Sequence, residues 1–194
     1  MNTIRTMGVF PFQRRDRLID LFGYTTKGIP GVDIIGPGKN GKVMREKFIF
    51  LSRSLHLRLP LKRFVLCMEE NPLIKEAEAH EIKWLELPLL ILFWTLAEQL
   101  EFGKLEDCLS CGHISVSGKI TTRTPGALFR GDNFSTPLDI EELEGLKFIG
   151  QSLPGELEST YHWLPLREVL STVPGLSFGS EISSISSEKQ GMVF

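Results

Sequence analysis

The sequence predicts a mixed helix-and-strand fold around a packed core, and three observations carry that prediction. Strand-like and helix-like runs alternate through the body of the chain. The 194 residues, 42% hydrophobic and 24% charged, suffice for one well-buried domain and are short for two. The most apolar stretch, Trp84 to Ala97, is 14 residues long and contains Glu86 and Pro88. A membrane span needs about 20 apolar residues, so this stretch reads as a buried helix.

The elements follow in order. Val32-Asp33-Ile34-Ile35 is a short β-branched run ended by Gly36-Pro37-Gly38, which reads as a strand and a loop. Met44, Phe48, Leu51 and Leu55 then recur at helical spacing, so one stripe faces a core while Lys42, Arg45, Glu46 and Arg53 point elsewhere. Phe64-Val65-Leu66-Cys67-Met68, after Pro60, is a continuous apolar run of strand length, as expected of a strand buried on both faces. The helix expected near Pro88 is apolar nearly all round, which makes it the central helix, with the proline acceptable in its first turn. Ile114 to Ile120 alternates around Ser117-Gly118 and reads as a hairpin. Leu143–Gly150 reads as a strand and Leu166–Leu170 as a short closing helix. From Ser171 to Phe194 the chain is rich in Ser and Gly with scattered single hydrophobes, so the domain is drawn at 1–170 and a tail at 171–194.

Composition excludes several classes. Met1–Gln13 has no long apolar core and no cleavage site, so a secretory leader is not expected and the cytoplasm is the expected location. Three cysteines fit reduced thiols better than a disulfide framework. The net charge of −2 hides an asymmetry: residues 1–63 hold 13 Lys and Arg against 4 Asp and Glu, whereas residues 64–194 hold 9 against 20. Lys39, Lys42, Arg45 and Lys47 cluster on the loop and the helix start, and Lys62-Arg63 lead into the next strand. Such a patch is either a solvated face or a surface for phosphates or an acidic partner.

Gly36-Pro37-Gly38-Lys39-Asn40-Gly41-Lys42-Val43 fits the phosphate-loop pattern G-x-x-x-x-G-K-[ST] at every defined position but the last. Val43 has no hydroxyl to hold magnesium, and Pro37 removes one N–H from the cradle. Cys108-Leu109-Ser110-Cys111 with His113 looks like half of a zinc or redox site, but no second Cys/His pair completes it. No G-x-S-x-G elbow is present, and the acid pairs Glu69-Glu70 and Glu141-Glu142 read as solvated.

Gly28-Ile29-Pro30-Gly31, Ile34-Ile35-Gly36, Arg45-Glu46 and Pro60 with Lys62-Arg63 stand in an order that resembles the ChlI-like domain. That domain lies at the N-terminus of magnesium-chelatase-like AAA+ proteins of the ComM/YifB type. Glu86-Leu87-Pro88-Leu89 resembles the start of the family's buried helix, with Glu86 in place of the usual Asp, and Ile114–Lys119 resembles its hairpin. Glu142–Phe148 with Leu166-Arg167-Glu168-Val169 is similar to its closing segment. The match runs from about Ile4 to Leu170, with the specific motifs in the first third.

The resemblance implies an α+β fold like the Lon proteolytic domain, a mixed sheet with packed helices related to domain two of ribosomal protein S-five. It also assigns the Gly36–Val43 block to this fold, since the family's nucleotide site lies in a separate AAA+ module that these 194 residues do not contain. Lon-type catalysis pairs a Ser with a Lys. Trp84–Pro88 holds no Ser, and Thr124–Arg130 offers Arg130, which stays protonated and cannot act as a base. The expectation is therefore a non-catalytic binding or oligomerisation module, an accessory of DNA processing, with no catalytic residue, cofactor or metal. Lys39, Lys42, Arg45, Lys62 and Arg63 are its expected phosphate or acidic-partner contacts. DNA, a separately encoded AAA+ ATPase subunit and a second copy of the chain are the expected partners, and no membrane. The alternatives are a nucleotide-binding protein using Gly36–Val43 and a subunit that partners a separately encoded AAA+ ATPase.

Overall fold

A long antiparallel hairpin leads the fold, β1 (Thr3–Phe12) and β2 (Arg15–Thr26), in register from Thr3↔Tyr24 to Phe12↔Arg15. Sequence patterning does not announce it. Thr6, Gly8, Arg17 and Gly23 stand on the core-facing side and hide the alternation, and the turn at Gln13 (φ 49°) lacks the usual Asn-Gly or Gly. The structure, a computed structural model, describes residues 3–13, 15–68, 72–102, 104–123, 145–151, 162–173 and 175–180.

The remaining elements are β3 (Gly31–Ile35), α1 (Lys39–Ser54), β4 (Arg63–Met68), α2 (Pro72–Glu76), α3 (Ala79–Ile82), a 3-10 turn (Lys83–Leu85) and α4 (Glu86–Leu96). Then come β5 (Cys108–Ser110), β6 (Gly112–Ile114), β7 (Lys119–Thr122), β8 (Lys147–Gly150), β9 (His162–Pro165), α5 (Leu166–Val169) and β10 (Ser177–Ser180). Among the described residues seven strands form one mixed sheet in the order β3-β4-β2-β1-β5-β8-β9, and β10-β7-β6 form a second. The protein is thus α+β with a mixed sheet and several helices.

One face of the large sheet is built for α4. Gly8, Phe10, Ile19, Leu21 and Gly23 of the hairpin share that face with Phe64 and Leu66 of β4. A Cβ on Gly8 would sit 2.7 Å from Leu85 Cδ2, and one on Gly23 2.8 Å from Leu96 Cδ1, so both glycines let the turn and helix lie directly on the strands. Every residue of α4 except Thr95 is buried, as its uniformly apolar sequence requires. Helix α1 joins parallel β3 and β4 and packs on α4 through Phe48, whose ring stacks on Phe93 at 6.4 Å. Trp94 Nε1 donates to Ser52 Oγ at 2.9 Å, and Ser52 in turn donates to the Phe48 carbonyl, so the two helices share a satisfied buried polar link.

The expected strands at Val32–Ile35 and Phe64–Met68, the helical stripe, the buried helix, the 114–120 hairpin and the closing helix all form. The strand expected over 143–150 starts at Lys147, and Leu143 lies outside the described residues. Within the stretch assigned to the tail, Ser177–Ser180 pairs in parallel with Lys119–Thr122. Backbone hydrogen bonds to an edge strand need no contiguous apolar surface, which is why composition misses such a strand. Residues 181–194, and with them the rest of the expected tail, lie outside the described residues. Among the described residues no helix is long and apolar enough to cross a membrane.

Candidate interaction site

Three of the five basic residues singled out in the sequence meet at the β3 edge of the large sheet. Lys42, Arg45 and Arg63 line a cleft of about 820 Å³ with Tyr24, Asp33 and Ile35. An adjoining depression of about 550 Å³, lined by Ile29, Pro30, Gly31 and Glu46, shares Asp33, Arg45 and Arg63 with it. Chain geometry brings them together: Asp33 and Arg63 arrive on neighbouring strands, while Lys42 and Arg45 lie one turn apart on α1, which crosses beside β3.

Their charges are unequally free. Arg63 Nε donates to Asp33 Oδ2 at 2.8 Å, and Arg45 donates through Nε and Nη2 to Glu46 Oε1 at 3.1 and 2.7 Å. Both guanidinium groups are partly exposed, so these pairs orient them more than they stabilise the fold. Lys62 departs from the cluster and pairs with Glu98 at 3.0 Å. Lys39 and Lys42 are exposed and form no ion pair among the described residues.

Lys47, expected in the basic cluster, does not belong to this patch. It sits three residues after Met44 and four before Leu51, on the buried stripe of α1. Its ammonium donates to Glu86 Oε1 and, at 2.9 Å, to the Ile114 carbonyl, while the Ile114 N–H donates to Glu86 Oε2 at 2.8 Å. One lysine and one glutamate thereby tie α1, α4 and β6 together. Sequence reasoning missed the pair although its signal was present: a lysine on an apolar stripe and a single acid at the start of an otherwise apolar helix. A second pair also escaped it. Arg123 Nη2 lies 3.1 Å from Asp16, which is 5% exposed, and the guanidinium stands 6.0 Å from the Trp84 ring centroid.

The phosphate-loop resemblance fares poorly in three dimensions. The Asn40 N–H donates to the Pro37 carbonyl at 3.1 Å and the Gly41 N–H to the Gly38 carbonyl at 3.2 Å. With Pro37 lacking an N–H, the loop spends on its own turn donors that a phosphate cradle needs. The cysteines are equally unsuited to chemistry. Cys67, Cys108 and Cys111 are buried and form no disulfide, and no group of three or more His, Cys, Asp or Glu side chains able to hold a metal occurs among the described residues. Burial pushes the Cys108 thiol up to about 11, against a smaller lowering by Lys147, and burial also raises Cys67. His113 packs edge-on against Trp84 at 4.9 Å. Arg130, Glu69-Glu70 and Glu141-Glu142 lie outside the described residues.

Compared with known proteins, the chain matches no protein-family model and no curated protein sequence.

Proposed function

We propose that this protein is a non-catalytic binding and assembly module with a Lon-like fold, an accessory of DNA-processing machinery, that meets an anionic partner at its β3–α1 edge. The observation that carries the reading is the pair Lys39 and Lys42, exposed and without an acidic partner among the described residues, beside a cleft lined by the oriented guanidinium groups of Arg45 and Arg63. The thiols and the Glu86 carboxylate, by contrast, are buried in the framework. The order of strand, glycine loop, basic helix, strand and buried helix supports the Lon-like assignment.

Salt titration of binding to duplex and branched DNA tests the phosphate version. Two unbalanced lysines predict a slope of log affinity on log salt near −2. No binding at low salt, or binding unchanged in Lys39→Glu/Lys42→Glu, refutes it. For a protein partner such as a separately encoded AAA+ subunit, the same double variant as bait loses what the wild type retains. Light scattering of both proteins tests self-association through this edge.

A further inference from the structure

We infer that the outer face of α1 docks an acidic amphipathic helix of a partner protein. This surface lies beyond the β3 cleft, shares only Lys39 with the reading above, and has a test of its own.

Lys39, Val43, Glu46, Phe50 and Arg53 follow one another on α1 at spacings of four, three, four and three. On a helix such spacing keeps all five side chains within about a quarter turn, in one line along the axis. The line lies on the side of α1 away from Met44, Phe48 and Leu51, which pack into the core; Val43 is 61% exposed and Phe50 56%. The β6–β7 hairpin lies against the same helix. Lys47 Nζ donates to the Ile114 carbonyl at 2.9 Å, and a Cβ on Gly118 would sit 2.9 Å from Leu51 Cδ1. Lys47 is one turn from both Val43 and Phe50 on the helix surface, so the hairpin tip, where Val116 is 78% exposed, stands beside the line. Single exposed apolar side chains are ordinary, but three gathered on one face mark a contact surface.

Charge selects the occupant. Glu46 is neutralised by Arg45 at 2.7 Å, while Lys39 and Arg53, exposed at the two ends of the line, form no ion pair among the described residues. No acidic residue stands in the first turn of α1, so the helix dipole adds to the positive charge at the Lys39 end. A second copy of the chain fits badly. Antiparallel packing of two α1 helices sets Val43 against Phe50 but also Lys39 against Arg53, and parallel packing sets each cation against its own counterpart. A nucleic-acid backbone answers the two cations and leaves the apolar centre in water. A partner helix with apolar residues two turns apart and carboxylates near both ends matches the whole line. Val43 and Phe50 stand about 10.5 Å apart along the axis, and Lys39 and Arg53 about 21 Å.

The test uses the full chain and a fluorescein-labelled acidic peptide of about 18 residues, with Leu and Ala on one helical face and Glu on the other. Its comparators are the same peptide with Lys for Glu, and a scramble of equal composition whose leucines are dispersed round the helix. The acidic helix binds, and both comparators bind at least about tenfold more weakly. Phe50→Ala weakens binding at least about fivefold and Arg53→Glu about three- to fivefold. Both variants melt within about 2 °C of the wild type, because both side chains are exposed. Amide shifts on peptide addition gather at Val43, Phe50 and Val116. Equal binding of the scramble, unchanged affinity in Phe50→Ala, or shifts gathered instead at Tyr24 and Val65 of the cleft overturns helix docking and leaves the anionic-partner reading standing. Binding of duplex DNA or of phosphatidylserine vesicles, without binding of the acidic helix, does the same. If none of these anionic probes binds, both readings fall.

Discussion

Replacing Lys47 by methionine keeps an apolar stem of similar length and removes the ammonium that meets Glu86. The Glu86 side chain is 4% exposed, so its carboxylate stays in the core with the Ile114 N–H at 2.8 Å as its remaining donor. The Ile114 carbonyl loses the ammonium at 2.9 Å. Breaking a buried pair from one side costs about 3–5 kcal/mol. The Lys47 side chain is 20% exposed, and solvent screening of that end brings the expected loss to about 3 kcal/mol. Urea unfolding followed by circular dichroism reads this directly: with a slope of about 2 kcal/mol per molar, the midpoint falls by about 1.5 M. Glu86→Gln, which retains an acceptor for the Ile114 N–H, costs about 2 kcal/mol. In the double variant no charge is stranded, so the two losses are not additive and the cycle gives a coupling of about 2 kcal/mol. A Lys47→Met loss below about 1 kcal/mol, or strict additivity in the double variant, refutes the argument that this pair ties the two helices to the small sheet.

Three further outcomes are expected. Val43→Thr completes the phosphate-loop pattern on paper, yet neither wild type nor variant gains more than about 2 °C in Tm with millimolar Mg-ATP, because Asn40 and Gly41 spend their N–H groups within the turn; a larger rise in either restores the nucleotide reading. Gly41→Ala destabilises by about 1–2 kcal/mol by thermal melting despite the better helix propensity of Ala, since the new Cβ meets the Ile34 carbonyl at 2.8 Å and Pro37 Cγ at 3.3 Å; a gain in stability would contradict the close approach of α1 to β3. Stability falls between about pH 9 and 11, because the folded Cys108 holds its proton up to about 11 while the unfolded thiol releases it near 9.0. The slope is shallower in Cys108→Ala, and equal slopes in the two proteins would remove the burial argument.

Elements whose periodicity serves a single purpose were legible. The stripe Met44, Phe48, Leu51 and the alternate residues Phe64, Leu66 and Met68 are apolar because they face one core, so pattern and position agree. The β1–β2 hairpin was illegible because Gly8 and Gly23 fill core positions where a side chain would have shown the alternation. Three of the five candidate cations, Lys42, Arg45 and Arg63, do converge, and Lys39 is exposed on the same α1 start. Lys62 left the group for Glu98, an acid 36 residues away that no local reading connects to it.

By itself the sequence determined the mixed helix-and-strand character, the central buried helix, the basic first third and the lack of a complete phosphate-loop motif, because composition, period and motif are local properties of the chain. The tertiary structure decided which charges are available. Lys42 and Lys47 stand five residues apart on the same helix, yet one is exposed beside the β3 cleft and the other is paired with Glu86 in the framework. Helical rotation turns them to different faces, and the packing of α4 against α1 makes one of those faces interior.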